Sequence, residues 1–65
     1  MQKIVHISPS ESHYVLKLSP VHYEVYENGA THAKRVGTFH YSNDPHRAFS
    51  EAAIRCDVLS GTFTI

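Results

Sequence analysis

The chain has little of what usually classifies a small protein. Its 65 residues hold one cysteine and no tryptophan, and six Lys+Arg balance six Asp+Glu. Cys56 has no second cysteine to pair with. That excludes the internal disulfide framework of small secreted scaffolds and leads us to expect a reducing, cytoplasmic setting. A formal charge of zero removes the broad basic field behind strong non-specific nucleic-acid binding, and equally an acidic surface that mimics nucleic acid. No apolar run approaches the roughly 20 residues that cross a bilayer, and the few apolar residues before Pro9 are too short for a signal peptide. We therefore expect a soluble protein with no membrane partner. The chain opens at Met1 without linker, repeat or low-complexity tail, and reads as one complete small domain. At this length only about 60% of the unfolded surface is buried, so one small core must suffice or a second copy must help.

Signatures of chemistry are equally sparse. There is no glycine-rich phosphate loop, no G-x-S-x-G elbow and no carboxylate pair, so an enzyme is not expected. The one unusual count is six histidines, whose charge near neutrality depends on their surroundings. Zinc ligands tend to come as close pairs, and the nearest candidates, His40 and His46, are separated by five residues and a helix start. No metal or other cofactor is expected. Cys56 falls on the apolar stripe of a helix, where a lone free cysteine acts as a small core hydrophobe.

What is present is alternation followed by helical periodicity. Lys3 to Ile7 is short and β-branched, and Ser8-Pro9-Ser10 turns the chain after it. His13 to Leu18 alternates, with Tyr14, Leu16 and Leu18 on one side and His13, Val15 and Lys17 on the other, before Ser19-Pro20 breaks it. Val21 to Glu27 alternates again and meets Asn28-Gly29, the strongest short hairpin signal. A two-residue loop would mix charge into the apolar side. A three-residue Glu27-Asn28-Gly29 loop instead places Thr31, Ala33, Gly37, Phe39 and Tyr41 with Val21, Tyr23 and Val25. In that register Arg35 is the awkward member, expected to lie across Tyr23 with its head group at the sheet edge. The opposite face then carries His22, Glu24, Tyr26, His32, Lys34, Val36, Thr38 and His40.

Asp44-Pro45 starts a helix, with Asp44 as the cap and Pro45 where no N–H is needed. Ala48, Phe49, Ala52, Ala53 and Cys56 form its apolar stripe, with Phe49 as the expected main knob, and Arg47, Glu51 and Arg55 follow each other at spacing four outside. The helix ends at Asp57 or shortly after, Ser60-Gly61 turns, and Thr62 to Ile65 makes a last strand. The expected order is β-β-β-β-α-β, an α+β fold of three to five antiparallel strands on one helix.

The face turned away from the helix is the surface left for function. His22, Glu24, Tyr26, His32, Lys34 and His40 combine an amphipathic aromatic with groups that hydrogen-bond both ways, a composition suited to docking on a protein or nucleoprotein partner. The open strand edges are a second candidate, through which a homodimer could form. Only Lys34 on this face has the cationic donor with which guanine is usually read directly.

Two resemblances bear on these expectations. Gly37-Thr38-Phe39 followed by Arg47-Ala48-Phe49-Ser50-Glu51-Ala52-Ala53-Ile54-Arg55 resembles the second half of the AP2/integrase-type DNA-binding domain, over roughly Tyr23 to Arg55. That family has a three-stranded antiparallel sheet backed by one helix and reads the major groove with the opposite sheet face, so the resemblance implies a small DNA-binding regulator. Val25-Tyr26-Glu27-Asn28-Gly29 resembles the hairpin of a small phage-encoded type I-F anti-CRISPR protein, and implies a non-enzymatic inhibitor from a phage or mobile element. The second implication agrees better with the neutral charge and the lack of catalytic residues.

Overall fold

A computed structural model describes residues 2–61. Four strands and one helix follow in the order β1 (Lys3–Ile7), β2 (His13–Ser19), β3 (His22–Glu27), β4 (Lys34–His40) and α1 (Pro45–Ser60). The strands form one antiparallel sheet whose spatial order is the chain order. Helix α1 lies on one face, principally against β2, β3 and β4. This is the expected α+β arrangement as far as the end of the helix; the last expected strand, residues 62–65, lies outside the described residues.

Alternation explains which face the helix covers. Val15 pairs with Val25 at the centre of the sheet, and both are fully buried with Tyr23, Ala48, Ala52 and Cys56. The buried positions of α1 recur at spacing four and are all small, so the helix backbone comes close to the sheet without a large side chain between them. Phe49 is therefore not the central knob expected from sequence. It is only partly buried and packs at the flank of the core, edge-on to Tyr23 with ring centroids 5.6 Å apart.

The helix ends are built as the sequence predicts. Asp44 accepts from the Arg47 N–H at 3.0 Å, Pro45 occupies the first turn, and Gly61 closes the C-terminus in the left-handed region at φ 79°. A side-chain cluster ties the start of α1 to the chain leaving β4. Tyr41 donates to Glu51 Oε1 at 2.6 Å, Arg47 Nε donates to Glu51 Oε2 at 2.8 Å, and the Arg47 guanidinium lies 4.8 Å from the Tyr41 ring centre. The Tyr41 hydroxyl, and after it Arg47, holds the Glu51 carboxyl below its ordinary value of 4.5. A lowered carboxyl contributes stability above its unfolded value and loses it as pH falls through the folded one. The stability gap between wild type and Glu51→Gln is thus expected to narrow as pH drops below about 4.5, read from melting curves on a pH series. A gap that stays constant through that range contradicts the assignment.

The β3–β4 connection departs from the three-residue loop. Glu27 pairs with Lys34, leaving residues 28–33 between the strands. Asn28 is occupied elsewhere: its N–H donates to Ser12 O and its side-chain amide to Glu11 O, both at 2.9 Å. It ties the loop to the β1–β2 turn instead of forming the hairpin corner. Gly29 remains essential, because a Cβ there would collide with the His32 carbonyl oxygen. Gly29→Ala should cost about 1–3 kcal/mol through the backbone shift it forces, measurable by denaturant unfolding; an unchanged midpoint contradicts that close approach.

The register is displaced by six residues from that of a three-residue loop, and a bulge restores only the expected face alternation farther along. Val25 pairs with Gly37 but Tyr26 pairs with Arg35, so Val36 is an extra residue in β4. Beyond it Gly37 and Phe39 share the helix side with Val25 and Tyr23, as expected. Before it the phase is reversed. Arg35 stands with Tyr26 on the outward face, not across Tyr23, and Lys34 falls in phase with Glu27 on the helix side.

Candidate functional site

The outward face is organised by one carboxylate. Glu24 pairs with Leu16 on one side and Thr38 on the other, in the middle of a sheet face that no described element covers. It is nevertheless only 5% exposed, because its neighbours on the same face close over it. Burying a carboxylate is costly unless its oxygens are engaged, and here both are. Tyr26 donates its hydroxyl to Oε1 at 2.9 Å, and Arg35 Nη1 donates to Oε2 at 3.1 Å. His22 Nε2 is 3.6 Å from Oε2, within ion-pair distance but beyond hydrogen-bond reach, and this buried ring nitrogen has no hydrogen-bond partner among the described residues. Hydrogen bonding to Glu24 pushes the Tyr26 phenol above its ordinary value, with desolvation adding to the rise.

The effect is to hold two contact groups in place. The Tyr26 ring is stacked on Tyr14 at 5.5 Å with the planes 9° apart, its cross-strand partner. Its hydroxyl is fixed by Glu24, so both ends of the side chain are held. Arg35 keeps its anchor on Glu24 while 60% of its side chain remains exposed. Beside this polar centre, His22 and His40 face each other across β3 and β4 with ring centroids 5.1 Å apart. On the other flank, Ile4 pairs with Leu16 and Ile7 with Tyr14, and both isoleucines are more than half exposed. The face therefore runs from an apolar flank over β1 and β2, through the Tyr14–Tyr26 stack, to the Glu24–Arg35 pair and two histidines.

Of the residues singled out from sequence, His22, Glu24, Tyr26 and His40 are brought together here. His32 is not: it lies in the exposed connection between β3 and β4, because that connection is longer than three residues. Lys34 is displaced from the face by the Val36 bulge, opposite Glu27. Arg35, taken from sequence as a residue lying over the core, replaces it. The signal available for Arg35 was the misfit of a cation on the apolar side, which a one-residue bulge removes. Ile4, Ile7 and Tyr14 were also missed, since only pairing to β3 reveals which side of β1 and β2 looks outward.

Comparison of the chain with protein-family models, with curated proteins and with solved structures returns no match. No helix among the described residues is long and apolar enough to cross a membrane.

Proposed function

We propose that the chain is a non-enzymatic binding protein that docks the outward face of its sheet on a protein or nucleoprotein partner in a reducing compartment. The class we propose is an inhibitor of the anti-CRISPR type, encoded by a phage or mobile element. The carrying observation is the buried Glu24, whose two oxygens fix Tyr26 and Arg35 before any partner arrives. Aromatic and arginine side chains dominate binding energy at protein interfaces, and immobilising them beforehand reduces the entropy lost on association. The exposed Ile4 and Ile7 add apolar area that a partner would cover. The Val25–Gly29 resemblance supports the class, and the end of β3 that it spans supplies Tyr26 to the face.

The alternative is a small DNA-binding regulator, which the AP2-like segment implies. Arg35 on the outward face is the observation in its favour. Against it, the guanidinium is already paired with Glu24, so the pair adds no net positive charge toward phosphates. Titration of duplex DNA at two salt concentrations separates the readings. The protein-docking reading predicts no saturable binding even at low salt, and a steep loss of affinity with salt would establish the DNA reading instead. Docking itself is tested by immobilising wild type, Tyr26→Ala and the helix-face variant Arg55→Glu and comparing capture from host lysate. The partner is expected on wild type and Arg55→Glu and depleted on Tyr26→Ala; the reverse pattern overturns the assignment.

A further inference from the structure

We propose that His6, Cys56 and Asp57 form a zinc site that pins strand β1 to helix α1. His6 is 51 positions from Asp57 in sequence, and β1 and the last turns of α1 bring it together with the adjacent Cys56 and Asp57. One donor atom from each, a ring nitrogen, a thiol sulfur and a carboxylate oxygen, all lie within 4.8 Å of one another. His6 stands on the helix side of β1 opposite Val15, and its Nε2 is 2.9 Å from Asp57 Oδ1. Cys56 is fully buried beneath them, while His6 and Asp57 are about one quarter exposed, 28% and 26%. The cluster is thus closed on the sulfur side and open to solvent on the other.

Nitrogen, sulfur and oxygen donors together suit a borderline-soft divalent cation. Zinc takes all three at about 2.0–2.3 Å in tetrahedral geometry, which places donors about 3.5 Å apart. The present spacings, one shorter and none above 4.8 Å, bracket that value, so small side-chain rotations suffice. The hard cations magnesium and calcium are disfavoured by the thiol. With three protein donors, a water completes the fourth position from the solvent side. Burial, and after it Asp57, raises the Cys56 thiol above its ordinary value. On binding, the metal takes the thiolate and the thiol proton passes to buffer.

The place of the cluster gives the metal a purpose. Strand β1 is at an edge of the sheet, and the helix rests chiefly on the other three strands. A metal joining His6 to the Cys56-Asp57 pair would fasten the least supported strand to the core. It would do so in a chain too short for a large core and with no disulfide.

The test is titration of the purified full chain with cobalt(II), followed by zinc competition. Wild type is expected to develop the thiolate-to-cobalt charge-transfer band and the intense visible bands of a tetrahedral site, and zinc is expected to erase both. Cys56→Ser and His6→Gln should each lower zinc affinity about 100-fold or more. Zinc at a hundredfold excess over its Kd should raise the wild-type melting temperature by about 5 °C or more. It should also slow amide exchange selectively in residues 3–7. A cobalt spectrum without the charge-transfer band overturns the site and needs no variant to interpret. Equal zinc affinity in wild type and Cys56→Ser overturns it as well, assigning the metal to surface histidines.

Discussion

Phe49→Ala is expected to lower the unfolding free energy by about 2–4 kcal/mol, a large share of the stability of so small a domain. The fully buried face of α1 is made of Ala48, Ala52 and Cys56, which contribute close approach but little apolar area. Phe49 is the large aromatic side chain that the helix contributes, set edge-on against Tyr23 at the flank of this core. Removing it deletes that ring contact and leaves a gap beside Tyr23 that the flanking Phe39 and Tyr41 fill only in part. A 65-residue domain holds roughly 3–10 kcal/mol in total, so the midpoint should fall by about 10 °C or more. Phe49→Leu, which keeps volume, should recover at least half. A loss below about 1 kcal/mol in denaturant unfolding would show that the helix is held by its alanine face alone.

Tyr26→Ala is the second large effect, and it falls on binding. Tyr26 holds a central place on the outward face, stacked on Tyr14 and bonded to Glu24. Truncating a preordered aromatic at the centre of an interface typically costs 2 kcal/mol or more, so affinity for the partner should drop about 30-fold. Stability should change by only about 1 kcal/mol, because the ring is half-buried and Glu24 keeps Arg35. Tyr26→Phe separates the two roles. It retains the stack but frees Glu24 Oε1, so an intermediate loss is expected if the hydroxyl's part is to hold the ring in place.

Most of the fold was legible because its devices are local. Alternation in His13 to Leu18 and Val21 to Glu27, the Asp44-Pro45 start and the small-residue stripe of α1 each act within a few residues, and the structure uses each as expected. The candidate site was legible only in part. His22, Glu24 and Tyr26 share a face of β3 by simple alternation, and His40 joins them because the register beyond Gly37 is in phase. Lys34 and Arg35 exchanged places because one extra residue, Val36, sits in β4, and the only mark the bulge leaves in the pattern is a cation on the apolar side. Asn28 was misread as a hairpin corner because its partners, Ser12 and Glu11, are contributed by a different turn. The same non-locality hid the His6–Cys56–Asp57 cluster: its members have no motif spacing, and only the tertiary fold, by bringing β1 to the last turns of α1, makes them neighbours.

Docking through the outward sheet face can be read out by site-specific photo-crosslinking. A photo-reactive side chain placed at position 14 on the face, and another at position 55 on the exposed side of α1, are compared in the host lysate at equal occupancy. One discrete crosslinked partner is expected from position 14, competed by unlabelled wild type but not by Tyr26→Ala, and none from position 55. A specific, competable crosslink from position 55 with none from position 14 would contradict it.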